Sequence, residues 1–324
     1  MTRRYLLLIP AVVVLIALGS LVWWWQGLPP GAARLLPEAD GYFYADLRPM
    51  RSAGLFDRLP EINFEPEYRE FVEQTGINPE RDLDEAAFAI HLPRANTGGP
   101  ETRYSEVFAG RFDQQKLRAF LAKTAQNTTE RRGSPVFEVP LPGRTVRAAI
   151  LDNRVAASNL DQTSAIEHML ESNGKLLPQG PELLRSHYKH VPLGSPIWTI
   201  LRAASSAGGS SGIMLPGGFR VGVPEGTVLV ASIRYTGQIE FRAEAFTSGE
   251  AEAERLASHV GAYLSLMKAL GAGVKVEGME SLGPLVESLQ VERDEDRVVV
   301  RTSIDPKLLE GLFSKPSILD NKTP

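Results

Sequence analysis

The segment Gly208-Gly209-Ser210-Ser211-Gly212 matches G-x-S-x-G, the spacing that lifts a nucleophilic serine onto a strained turn between a strand and a helix. Here Ala-Ala-Ser-Ser-Ala precedes it and Ile-Met-Leu-Pro-Gly-Gly follows, so a loop fits better than a strand-turn-helix elbow. A hydrolase would also need a downstream histidine, and only His259 follows, inside a long amphipathic stretch. His187 and His190 are spaced to share a helix face, as metal ligands can be. No H-e-x-x-H pattern accompanies them, and the expectation is an exposed helix end with solvated imidazoles. Glu292, Asp294, Glu295 and Asp296 crowd a hairpin tip, but Arg293 and Arg297 flank them and the calcium-loop spacing is absent. No catalytic residue, metal ligand or cofactor-binding residue is therefore assigned, and no cofactor is expected.

The most informative pattern is an alternation. Over 238–246, Ile239, Phe241, Ala243 and Ala245 alternate with Gln238, Glu240, Arg242 and Glu244. Period two marks a strand with one buried and one wet face, the habit of antiparallel sheets. The apolar set is expected to be core. Glu240, Arg242 and Glu244 are expected to form a solvent-facing surface available to a partner.

The elements that would carry these residues form a degenerate repeat of strand, tight turn, strand, cap and helix. One copy runs over 145–171, a second over 227–270 and a third over 285–313. Asp305 followed by Pro306 is a strong helix start, and the 247–270 helix places Leu256, Val260, Tyr263, Leu264 and Met267 on one stripe. Earlier, 41–47, 86–92 and 104–110 read as strands, 66–74 as a helix, and Asp113 as the cap of a helix to about residue 125. The predicted fold is α+β, with antiparallel sheets built from hairpin-helix units and helices packed on one sheet face. Boundaries are placed at 37–202 for a first lobe, 203–226 for a Gly/Ser-rich loop, 227–316 for a second lobe and 317–324 for a tail.

The N-terminus places the protein. Residues 5–25 contain no charged side chain and would span about 30 Å as a helix, the thickness of a bilayer core. Arg3 and Arg4 precede this run and no cation follows until Arg34, which leaves the N-terminus cytoplasmic and exports the body. Trp23, Trp24 and Trp25 fall at headgroup level at the outer end. Residues 1–26 thus read as a cytoplasmic stub and transmembrane anchor, and 27–36 as a linker. Cleavage near Pro30-Gly31-Ala32-Ala33, which would free the body, is the alternative.

Composition narrows the classes. Lys plus Arg is 35 against 39 for Asp plus Glu, a net charge of -4, which argues against nucleic acid as a partner. The chain has no cysteine, which excludes disulfides, thiolate metal sites and thiol nucleophiles.

Two segments, Leu-Pro-x-x-Asp-Gly-Tyr-x-Tyr-x-Asp-Leu over 36–47 and Thr-Gly-Ile-Asn-Pro-Glu-Arg-Asp-Leu over 75–83, combine with the anchor and the hairpin-helix units. In this the chain resembles an uncharacterised family of N-terminally anchored, exported bacterial proteins, a domain of unknown function. The resemblance implies no activity and no catalytic residues. The sequence thus points to a single-pass, extracytoplasmic protein with a structural or partner-binding role at the cell envelope. Its expected contacts are the bilayer and an envelope protein. A module for a small or apolar ligand is the alternative, and a serine hydrolase using Ser210 a distant third.

Overall fold

A computed structural model describes residues 27–54, 66–92, 102–175, 179–203, 212–214, 220–273 and 287–306. The run at 5–25, with Arg3, Arg4 and Trp23 to Trp25, lies outside them, as do Ser210 and the chain beyond Pro306. Among the described residues no helix is long and apolar enough to cross a membrane.

The protein is α+β and is built on one antiparallel sheet of 12 strands. In chain order the first half contributes α1 (Gly31–Arg34), β1 (Gly41–Asp46), α2 (Leu47–Ser52), α3 (Pro66–Thr75), α4 (Pro79–Asp82), β2 (Leu83–His91), β3 (Arg103–Gly110) and α5 (Gln114–Thr124). Then come β4 (Asn127–Arg131), β5 (Ser134–Leu141), β6 (Arg144–Leu151), β7 (Arg154–Ser158), α6 (Ser164–Asn173), α7 (Glu182–His187) and β8 (Ile197–Arg202). The remainder is β9 (Gly212–Met214), β10 (Arg220–Gly222), β11 (Val228–Tyr235), β12 (Ile239–Phe246), α8 (Glu250–Gly273), β13 (Gln290–Asp294) and β14 (Arg297–Ile304). Strands lie in the order β13-β14-β12-β11-β8-β1-β2-β3-β7-β6-β5-β4, and β9 pairs with β10 separately. The sheet runs unbroken from β8 to β11, across the segment read as a loop between lobes, and that segment itself contains the β9–β10 ribbon.

Local chemistry explains the punctuation. Asp113 caps α5, its carboxylate accepting from the amides of Gln115 and Lys116. Asn78 caps α4, with Pro79 in its first turn. Gly76 ends α3 at φ +69, a conformation that a side chain would strain. In β1, a Cβ on Gly41 would lie 2.4 Å from Leu201 Cδ1, so a larger residue there would push the Leu201 side chain out of its packing. The Tyr42 hydroxyl accepts from the Ala39 amide and donates to the Pro37 carbonyl, which stitches the entry loop to the sheet. The two segments that carried the family resemblance are therefore fastenings of the fold.

Helices cover both faces of the sheet, which corrects the expectation of one. On the first face α1, α6 and α7 bury a core around Tyr42, Trp198, Ile166, Met169 and Leu184. On the second, Leu117 and Leu121 of α5 pack with Phe137, Ala148 and Ile150. Farther along that face Ala253 and Leu256 of α8 pack with Ala245 and Val298. The reason lies in strands such as β6, where Ala148, Ala149, Ile150 and Leu151 are consecutive and all buried. A strand that is apolar on both sides needs cover on both.

The side of β12 carrying Ile239, Phe241 and Ala243 does face the α8 layer, but these residues stay half-buried, and Ala245 alone of the apolar set is sealed.

Candidate functional site

β12 turns Glu240, Arg242, Glu244 and Phe246 toward the first face. Pairing with β11 sets Arg234 opposite Glu240, and pairing with β14 sets Arg301 opposite Arg242 and Arg297 opposite Phe246. The outcome is a chain of ion pairs. Arg234 Nε donates to Glu240 Oε2 at 2.6 Å, and Thr236 Oγ1 donates to Glu240 Oε1 at 2.5 Å. The hydroxyl first and the guanidinium second hold the Glu240 carboxyl below its ordinary range. Glu244 accepts from Arg242 Nε at 2.7 Å and from Arg297 Nη1 at 3.0 Å. Arg297 also grips Asp294, and that bond leads in raising its pKa; Arg301 pairs with Glu292.

The three residues predicted as partner surface separate here. Glu240 and Arg242 line an open groove of about 580 Å³, together with Ser232, Arg234, Arg301 and Ser303. Glu244 does not line it. At 2% exposure it is a buried carboxylate clamped between two arginines, so its place on a wet surface is corrected. The alternation that marks the face is right, but α7 and the turn after it descend onto its inner end. Sequence reasoning missed Arg234 and Arg301, and placed Arg297 only beside the hairpin-tip carboxylates, not on Glu244. The signal was present, since Arg297, Val299, Arg301 and Ser303 alternate with Val298, Val300, Thr302 and Ile304, but the apolar content of both sets hid it.

His187 and His190 close that inner end. Their rings lie 5.7 and 4.5 Å from the Phe246 ring. Burial is the first cause pulling both imidazoles below their ordinary pKa; beside His190, Lys189 and Arg297 lower it further while Glu244 opposes them. They are packing groups, not the solvated helix end expected. Ser186 Oγ lies 2.9 Å from His187 Nδ1, yet it also donates to the Glu182 carbonyl, as a helix serine does. Two carboxylates of the β13–β14 tip, Asp294 and Glu292, are taken by Arg297 and Arg301. Among the described residues no three His, Asp or Glu side chains gather as a metal would require.

A second serine-histidine contact lies within the core. Ser105 Oγ is 3.1 Å from His91 Nε2 and 3.0 Å from Ser158 Oγ. Ser105 is fully buried, so no substrate reaches its hydroxyl.

No protein-family model matches the sequence, and no curated protein does. Among solved structures the chain is similar to crystal forms I, III and IV of TP0453. Identities are 10, 11 and 10%, and TM-scores 0.43, 0.47 and 0.45. The alignments cover 88–89% of this chain and 96–98% of TP0453. Below a TM-score of 0.5 such a likeness carries no function across.

Proposed function

We propose that this chain is a membrane-anchored, extracytoplasmic protein without catalytic activity that binds an envelope protein through the groove on β11, β12 and β14. The observation that supports the reading is the ladder of Arg234–Glu240, Arg242–Glu244–Arg297 and Arg301–Glu292 pairs. Pairing fixes the long side chains before any partner arrives, so little rotamer freedom is left to lose on binding. The exposed hydroxyl of Ser303 and the charged tips suit a polar, hydrogen-bonding partner segment. The anchor reading rests on the uncharged run at 5–25 and its arginine and tryptophan flanks.

The test is co-purification of the full-length protein from its own membranes. Arg234→Glu and Arg301→Glu, whose partners Glu240 and Glu292 reach solvent, are expected to release a partner that wild type retains, with the melting midpoint little changed. Retention of the same partner by both variants would remove the groove from the reading. Intact mass of the extracted protein decides the anchor: a mature N-terminus near Ala33 would convert the protein to a released one.

One observation favours the apolar-ligand alternative. A hollow of about 470 Å³ opens on the second face beside Phe88, Tyr104, Leu141 and Val146, and desolvation raises the pKa of the Glu106 carboxyl lining it.

A further inference from the structure

Away from the groove, two arginines stand together with no counter-ion among the described residues. Arg34 ends α1 and Arg154 begins β7. Arg34 Nε, Arg34 Nη1 and Arg154 Nε are sealed from solvent and have no hydrogen-bond partner. Their tips converge over Gly31: a Cβ there would lie 3.2 Å from Arg154 Nη2 and 4.0 Å from Arg34 Nη2. Gly180, at φ +75, lets the following loop press on the Arg34 stem, since a Cβ on it would lie 3.3 Å from Arg34 Cα. Burial first, and the Arg154 charge second, lower the Arg34 pKa. Elsewhere in the sheet a half-sequestered arginine is satisfied: Arg147 Nε donates to Glu138 at 3.0 Å and Arg147 Nη1 to the Leu160 carbonyl at 2.8 Å.

Like charges held together with unsatisfied donors are costly unless something compensates them. A site that served packing alone would be filled at less cost by leucine or methionine. Two guanidinium forks whose tips meet beside Gly31, where no side chain intervenes, match the tetrahedral oxygens of a phosphate group, which accept bidentate bonds. We propose that Arg34, Arg154 and Gly31 form a binding site for a phosphate-class anion. The phosphate can be free or carried by a lipid headgroup. Gly31 follows Trp25 by six residues, a reach of at most about 20 Å, so the headgroup source is within range if the anchor spans the bilayer. The lipid source rests on the anchor reading; the free anion does not.

The experiment is titration calorimetry of the full-length protein in neutral detergent at low salt. One arm uses inorganic phosphate and the other a short-chain phosphatidylglycerol. Saturable binding is expected in at least one arm, weakened about tenfold or more by Arg34→Gln and by Arg154→Gln, and unchanged by Arg118→Gln on the exposed side of α5. Binding of phosphate identifies a soluble ligand, binding of lipid alone identifies the headgroup, and either upholds the site. Arg34→Lys, which keeps the charge and loses the fork, should retain partial affinity and serves if a glutamine variant does not fold. Without ligand the glutamine variants should melt at or above the wild-type midpoint, because they remove repulsion. No binding in either arm, or binding that survives both glutamine substitutions, would overturn the site.

Discussion

Two wings of the sheet share one connectivity and differ on one face. In the first, the β2–β3 hairpin leads into α5, and the chain returns through β4 to β7 to set β7 beside β3. In the second, the β11–β12 hairpin leads into α8, and the chain returns through β13 to set β14 beside β12. In both wings the helix after the hairpin covers the second face. On the first face they part. One register row crosses the first wing as Ala87, Val107, Ala156, Ala149 and Val136, small apolar residues in the core that α6 covers. Past Tyr44 and Trp198 the same row continues through the second wing as Ser232, Arg242, Arg301 and Gln290. The backbone plan is repeated, and the side chains of a single face turn one copy into core and the other into a polar surface. A face that no helix covers among the described residues is a natural place for a partner.

This contrast gives its largest expected effect in the first wing. Ala149 is fully buried, and Ala149→Glu would place an unpaired carboxylate in the core covered by α6. A loss of more than about 4 kcal/mol is expected, enough to prevent folding. Ser303→Glu, on the open wing, should leave the denaturant midpoint where it is. Chemical denaturation of the two variants side by side tests the comparison, and equal tolerance would break it.

A smaller effect is expected inside the second wing, where Glu244 is the exception to the open surface. Glu244→Gln removes the charge that two arginines share and should cost about 3 kcal/mol in the same assay. Glu240→Gln, one step outward along the strand and in water, should leave the transition unchanged. A Glu244 variant as stable as wild type would mean that the whole face is solvated.

The smallest effect comes from the histidines at the junction of the wings. Burial favours the neutral imidazole of His187 and His190 in the folded state. The unfolded chain therefore takes up protons first. The stabilisation is fully present above the unfolded pKa of about 6.5 and is lost as pH falls through the lower folded values. The melting midpoint is expected to decline from about pH 7.5 to about pH 5, and His190→Phe should flatten that slope. An unchanged slope would show that the imidazoles are solvated after all.

Much of the local structure is legible in the chain. Asp113 as a cap, Pro66 at a helix start, the hairpin turns read at 152–153, 236–237 and 294–296, and the alternation in β12 depend on backbone preferences within a few residues, which a sequence states directly. Less legible is what lies opposite each face. β6 and β7 carry enough apolar residues to need cover on both sides, but nothing in 144–158 says that the following helix takes one face and a helix from elsewhere the other. For the same reason Glu240 and Glu244, two residues apart and equivalent by period, could not be separated: the one stays in water and the other is sealed because α7 and His190, far away in sequence, fold over the end of the strand.

By itself, then, the sequence determined the α+β class, the antiparallel hairpin-helix units and the face of β12 that carries its charges, because turn chemistry, capping and period-two alternation are local. Tertiary structure alone decided that the units join in one sheet, that Glu244 is core, that Arg234 and Arg301 complete the groove, and that Arg34 meets Arg154. Each of these depends on residues far apart in the chain, brought together by strand order and by helix packing, where charge and burial are settled only once the partners are in place.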